Sequence, residues 1–336
     1  MTQSAALSYL DVYLGPLGAA LDRSDVTDVY INRPGEIWIE TLGGGSERSA
    51  MPEVTDGLLW RLARQVASIS HQAISREHPL LAATLPDGAR IQVVAPPATR
   101  GGLAVAVRKH LAADLSLDDY ERSGMFDETR DAGPDMVDAE LHALHEARAW
   151  SGFLRAGVRA RKTIVISGGT STGKTTFLNA LLREIDEAER LILIEDTPEL
   201  KLRHDNAVGL IAVRGSQGEA CVTSADLLLA SLRMRPDRIV LGELRGVEAL
   251  TFLRAINTGH PGSLTTIHAD TPALAIEQLA LLALQTGIQL GRVDLVEYIR
   301  STVDIIVQLT RHSGGRQVSQ IWWRDQRNVP LRPVQG

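Results

Sequence analysis

The octapeptide Gly168-Gly169-Thr170-Ser171-Thr172-Gly173-Lys174-Thr175 fits the spacing GxxxxGK[ST], and it falls between an apolar run, 163–166, and a helical pattern, 176–182. A glycine-rich loop that leaves a strand and opens a helix is the frame of a phosphate-binding site. The glycines remove side chains that would keep the backbone from wrapping an anion, so successive N–H groups and the helix N-terminus can all point at it. Lys174 is placed to reach the β and γ phosphates of a nucleoside triphosphate, and Thr175 to offer its hydroxyl to the accompanying Mg²⁺. The expected nucleotide-binding set is therefore Gly168, Gly169, Thr170, Ser171, Thr172, Gly173, Lys174 and Thr175, with Thr176 next in line. A glycine-rich turn that binds nothing is the bland alternative. Only four lysines occur in the chain (Lys109, Lys162, Lys174, Lys201), which argues against a chance match.

Composition sets the limits of the rest. A chain of 336 residues, 44 % hydrophobic and 23 % charged, has room for two domains that each bury a core. Cys221 is the sole cysteine, so no intrachain disulfide or cysteine-based zinc cluster forms, and a cytoplasmic, reducing compartment is expected. The most apolar stretches are far shorter than the ~20 residues of a bilayer span, and no signal-peptide pattern opens the chain. A formal charge of −6 disfavours a broad nucleic-acid surface, and no direct sequence-specific nucleic-acid binding is expected.

The chain then divides. Leucines at 7, 10, 14, 17 and 21 have helical spacing, 28–31 and 37–40 read as a hairpin turning at Arg33-Pro34-Gly35, and a helix is expected over 58–74. Short strands follow at 82–85, 90–95 and 103–108, the first pair joined by Pro86-Asp87-Gly88. This is a smaller α+β domain, 1–110. The acidic stretch 111–137 reads as a linker across which few contacts are expected. From 138 to 336, helices and strands alternate: helix 139–154, strand 163–166, helix 175–182, strand 191–194, helix 225–234, strand 238–241, helix 246–258, strand 263–267. That order predicts an α/β domain with a parallel sheet covered on both faces.

In such a sheet the chemistry belongs at the carboxyl ends of the strands, where three polar clusters fall. Glu195-Asp196-Thr197-Pro198-Glu199 follows strand 191–194. Glu195 is a candidate to orient or deprotonate the attacking water or to hold Mg²⁺, while Thr197 with Pro198 can equally cap a helix. Gly242-Glu243-Leu244-Arg245 ends strand 238–241, making Glu243 the second carboxylate near Mg²⁺ or water; which of the two is the base stays open. Arg233, Arg235 and Arg245 suit ion pairs as well as phosphate. His268, just after strand 263–267, is placed to sense the γ-phosphate, and His260 suits loop packing.

Taken in order, Gly168 to Thr175, Ile194-Glu-Asp-Thr-Pro-Glu-Leu200, Gly242-Glu-Leu-Arg-Gly246, and Thr258-Gly-His-Pro-Gly262 with Thr265-Thr-Ile-His-Ala269 resemble the Walker A, Asp, Walker B and His boxes of the bacterial type II/IV secretion ATPases. Asp28 to Gly35, Leu85 to Arg90 and Val107-Arg108-Lys109 are similar to that family's N-terminal domain, so the resemblance covers most of the chain. It implies a RecA-like phosphate-loop domain behind the N-terminal one, ATP and Mg²⁺ as cofactors, a homohexameric ring, and Arg90 and Arg108 contacting phosphates from across the cleft. Lys174, Glu195, Glu243 and His268 would carry catalysis, with Thr175, Glu195 and Glu243 nearest the metal. A short chain with one cysteine looks like the type IV secretion and conjugation branch. By resemblance its partners are inner-membrane channel components and other secretion ATPases, and its place is peripheral on the cytoplasmic face of the inner membrane. Tight-adherence or type IV pilus motors, and a nucleotide switch that hydrolyses little, are the alternatives.

Overall fold

The structure, a computed structural model, describes residues 3–109, 116–127, 129, 136–213 and 219–324. The N-terminal part comprises α1 (Gln3–Leu21), β1 (Val26–Ile31), β2 (Gly35–Thr41), β3 (Ser46–Met51), α2 (Asp56–Ile69), β4 (Leu80–Thr84), β5 (Arg90–Val94) and β6 (Ala104–Arg108). Among the described residues these strands form one six-stranded antiparallel sheet in the order β3-β2-β1-β6-β5-β4. Thr55 caps α2 by accepting from Leu58 N–H, and the helix buries Leu59, Leu62, Ala63, Val66 and Ala67, the i, i+3, i+4, i+7 stripe of an amphipathic helix. The leucine periodicity of α1 is realised with Leu10 and Leu17 buried against the same sheet face. The expected helix 58–74 stops at Ile69, where Ser70 Oγ bonds back to Val66 O. Strand β3, Ser-Glu-Arg-Ser-Ala-Met, has no apolar alternation to announce it; it is a charged edge strand, the usual defence of an open sheet edge.

Strand alternation sends the other face of this sheet toward the rest of the chain. Val29, Ile31, Ile91, Val93, Val105 and Val107 point to α1 and α2, whereas Tyr30, Val94, Ala104 and Ala106 enter one apolar cluster with Ile192, Ile194, Val208, Leu210 and Leu227. The expectation that few contacts cross between the halves is thereby corrected: they share a core. Arg190 fastens the same boundary. It is wholly buried, sits 3.9 Å from the Tyr30 ring centroid, and donates to Met234 O (2.9 Å) and Asn32 Oδ1 (2.8 Å). Burial lowers its pKa to about 10. Of the expected linker, residues 110–115, 128 and 130–135 lie outside the described residues, and 117–122 form a short helix, α3 (Leu117–Arg122), capped by Ser116.

The C-terminal part runs α4 (Met136–Glu146), α5 (Trp150–Arg159), β7 (Ile164–Gly168), α6 (Lys174–Leu181), β8 (Leu191–Glu195), β9 (Ala207–Ile211), α7 (Ser224–Ser231), β10 (Arg238–Leu241), α8 (Glu248–Asn257), β11 (Leu264–Ile267), α9 (Pro272–Leu284), α10 (Arg292–Thr302), β12 (Ile305–His312) and β13 (Gly315–Trp323). Its strands, in the order β13-β12-β7-β11-β10-β8-β9, are parallel except for β13, which pairs antiparallel with β12. Strands β7, β8 and β10 are buried throughout, as a sheet covered on both faces requires. The α/β fold is as the alternation implied. The single helix expected over 139–154 is two, because Arg148 takes a positive φ of 53° and breaks the chain direction between α4 and α5.

Candidate active site

Parallel strands β7, β8, β10 and β11 end at one edge of the sheet, and that edge opens into a cavity of about 550 Å³. The loop after β7 forms its floor. A side chain at Gly168 would meet Thr172 Oγ1 at 2.6 Å and Leu309 O at 2.8 Å, and Gly173, which starts α6, has φ +94°. Both positions therefore require glycine. Ser171 holds φ +60° inside the loop, and Thr172 Oγ1 donates to Gly169 O at 2.9 Å. Residues Thr170 to Thr176 line the cavity, while Gly168 and Gly169 lie beneath and contribute carbonyls.

Lys174 is folded back onto its own loop. Its Nζ donates to Gly168 O (2.9 Å), Gly169 O (3.3 Å) and His268 Nδ1 (3.2 Å), and burial pushes its pKa down while the charge of Glu243 pulls it up. His268 also meets Glu243 Oε1 through Nε2 at 2.7 Å. Glu243 is ion-paired to Arg245, which it holds above the ordinary arginine range, and Arg245 reaches Asp196 Oδ2 at 3.4 Å. Thr266 Oγ1 donates to Gly242 O at 2.8 Å, tying the ends of β10 and β11 so that Glu243 and His268 face each other.

Glu195 ends β8 inside the same cavity. Its Oε1 accepts from Glu199 N–H (2.9 Å) and Leu200 N–H (2.8 Å), and its Oε2 pairs with Arg100 from the N-terminal part. The turn after β8 is thus organised by Glu195, and Thr197 caps no helix, since residues 196–206 contain none. The structure brings together Lys174, Thr175, Glu195, Glu243 and His268. It places Arg90 and Arg108 elsewhere: within one chain they line a second cavity with Arg233 and Arg235. His260 is also apart, donating from Nδ1 to Pro236 O at 2.9 Å.

Two arginines of the site escaped the sequence reading. Arg100 carries no motif, and Arg316, which lines the cavity and donates to Ser171 O at 3.1 Å, comes from β13. Among the described residues no group of three or more His, Cys, Asp or Glu side chains could hold a metal by itself. The donors present, the Thr175 hydroxyl and two carboxylates, suit an ion that arrives with phosphate oxygens, the usual manner of Mg²⁺.

Strand, glycine loop, helix, and carboxylates on neighbouring strand ends define a phosphate-loop nucleotide hydrolase. The chain belongs to the type II/IV secretion system protein family, whose model matches residues 14–327. The type IV secretion system protein VirB11 of Bartonella quintana is 37 % identical over 334 residues, 94 % of each chain. That of Brucella suis biovar 1 is 39 % identical over 325 residues, 94 % of this chain and 90 % of the relative. The crystal structure of the VirB11 ATPase from the Brucella suis type IV secretion system, in complex with sulphate, matches with a TM-score of 0.87 at 37 % identity, covering 94 % of this chain and 97 % of that one. By fold, site and family the chain is a secretion ATPase.

Proposed function

We propose that this protein hydrolyses ATP with Mg²⁺ to power a bacterial type IV secretion system, as a ring of identical subunits docked on inner-membrane channel components. The observation that carries the reading is the convergence of Lys174, Glu195, Glu243 and His268 on one phosphate-loop cavity. Bound Mg²⁺ would offset phosphate charge, held by the nucleotide and Thr175 with Glu195 and Glu243 close by. Lys174 would exchange the carbonyls of Gly168 and Gly169 for β and γ phosphate oxygens. That exchange takes Lys174 away from His268 Nδ1 and leaves His268 free to turn toward the γ-phosphate; half of its side chain is already exposed. Glu195 or Glu243 would orient and deprotonate the attacking water. The proposed units are an N-terminal domain, 1–110, and a RecA-like domain, 138–336. No described helix is long and apolar enough to cross a membrane, which suits a peripheral seat.

A switch that binds nucleotide with little turnover is the second reading. It is favoured by the engagement of Lys174 and both oxygens of Glu195 in protein contacts. ATP turnover per chain, measured against protein concentration with solution mass on the same samples, separates the two. A motor shows turnover that rises as rings form, requires Mg²⁺, and falls by more than about 10²-fold in Lys174→Ala. Tight binding without turnover at every concentration favours the switch, and full turnover in Lys174→Ala overturns both the site and the mechanism.

A further inference from the structure

We propose that Arg100 is a positioning residue for Glu195, and that through it the seating of the N-terminal part on the second sheet is read at the nucleotide site. The inference rests on the hydrolytic reading above. It begins with the backbone. Between β5 and β6, residues 98–100 lie antiparallel along β9, the edge of the second sheet. Ile211 N–H donates to Ala98 O and Arg100 N–H to Gly209 O, both at 2.9 Å, with Thr99 opposite Leu210. The N-terminal part thus adds a short strand to that sheet and covers its open edge.

From this strand the Arg100 side chain crosses β9 at Gly209. A Cβ at Gly209 would lie 2.5 Å from Arg100 Cδ, 2.8 Å from Nε and 2.9 Å from Cγ. Glycine inside a strand weakens it and is kept where another group must pass close by, and here that group is the arginine stem. Beyond the passage, Arg100 Nη1 donates to Leu200 O at 2.8 Å and Nη2 pairs with Glu195 Oε2. Glu195 in turn holds the N–H groups of residues 199 and 200. Gly242 completes the fit, since a Cβ there would stand 3.2 Å from Glu195 Cγ. The Arg100 and Glu195 side chains are only 17 % and 4 % exposed, so the pair is fixed by protein rather than screened by water.

The consequence is mechanical. The guanidinium is connected to the strand at 98–100, and Glu195 lines the cavity. Any shift of the N-terminal part along β9 must move or release that carboxylate. A displacement of about 1 Å at a reacting group is enough to change rates by roughly 10²-fold. A clip that only holds the halves together would instead lower stability and leave the chemistry alone.

The test uses the full chain and the variants Arg100→Gln, Arg100→Lys and Gly209→Ala. The last keeps every ionisable group but obstructs the passage. Steady-state kcat and KM for ATP are measured beside equilibrium binding of a fluorescent ADP analogue and thermal melting. The expected result is a fall in kcat of about tenfold or more in Arg100→Gln and in Gly209→Ala, with ADP binding changed less than about threefold, a split that marks loss in the reaction rather than in ground-state binding. Arg100→Lys should recover part of the loss. The double variant Arg100→Gln/Gly209→Ala should be no worse than its poorer parent, because both changes remove one interaction. If Arg100→Gln does not fold, Gly209→Ala decides alone. Turnover within about twofold of wild type in folded variants, or additive losses, overturns the inference alone. A wild-type chain without turnover overturns the hydrolytic reading and this one with it.

Discussion

Two cavities among the described residues carry opposite chemistry. The phosphate-loop cavity, about 550 Å³, is lined by four carboxylates, Glu195, Asp196, Glu199 and Glu243, with Lys174, Arg316 and an Arg245 already occupied by Glu243 and Asp196. The second, about 490 Å³, is lined by Arg90, Arg108, Arg233 and Arg235 with no carboxylate in its wall, although Arg235 pairs with Glu40 at 2.8 Å. Stabilising charge on a transferring phosphoryl group takes several preorganised cations. One cavity has the groups that handle water and metal, with Lys174 and Arg316 bonded to loop carbonyls rather than to carboxylates. The other has positive charge and nothing to activate water. Their separation within a single chain is what a ring would resolve, with the arginine wall of one subunit meeting the phosphate loop of another.

The harshest way to break this comparison is to inactivate the cavities separately and then mix the chains. Replacing Arg90 and Arg108 by Ala should lower ATP turnover by about 10³-fold or more, the scale of a lost arginine at a transferring phosphate. Mixing that variant with Lys174→Ala should restore measurable turnover, because some junctions in the mixed ring then combine an intact loop with an intact arginine wall. Independent cavities predict no restoration, and turnover unaffected by the arginine changes would assign the second cavity to something else.

A smaller effect sharpens the roles inside the phosphate-loop cavity. Glu195→Gln and Glu243→Gln should each reduce turnover by about tenfold to a hundredfold while nucleotide binding persists. Only Glu195→Gln should also lower the melting temperature, by roughly a few degrees, because it leaves the largely buried Arg100 without its carboxylate. Equal melting temperatures for the two variants would mean that the Arg100 contact carries little structural energy.

Much of this site could be read from the chain, for a physical reason. Glu195, Glu243 and His268 each sit at or just beyond the end of a strand, Lys174 opens the helix after the phosphate loop, and parallel strands bring their ends together. The strands β7, β8, β10 and β11 are buried on both faces, and β7 and β8 read as apolar runs, whereas β10 opens on Arg238 and β11 is Leu-Thr-Thr-Ile. Less visible were features made by partners distant in sequence. Strand β9, Ala-Val-Gly-Leu-Ile, is interrupted by the glycine that Arg100 needs, and that glycine was itself a signal of close approach. Nothing local marks Tyr30 or Ala106 as facing the second sheet rather than solvent, because a strand alternates identically in either case. Arg316 arrives from β13 through a hairpin whose register only the folded sheet defines.

The finest probe of the arginine cavity is His260, which does not line it but feels the charge of Arg235, which does. Burial first, and then the charge of Arg235, hold the His260 pKa below its ordinary value of 6.5, against the opposing bond from Nδ1 to Pro236 O. The unfolded chain therefore binds more protons than the folded one as pH drops below about 6.5, and His260 costs stability in that window while contributing none of this cost above it. Replacing His260 by Gln should flatten the fall of melting temperature between about pH 7 and pH 5.5 by roughly one or two degrees. Inorganic phosphate bound among the arginines should act in the same direction on the wild-type chain, since an anion beside Arg235 offsets the charge that disfavours protonation of His260. Thermal melting across that pH range, with and without phosphate at matched ionic strength, reads both effects. A profile that steepens in phosphate would place the anion away from Arg235 and leave the second cavity without its assigned ligand chemistry.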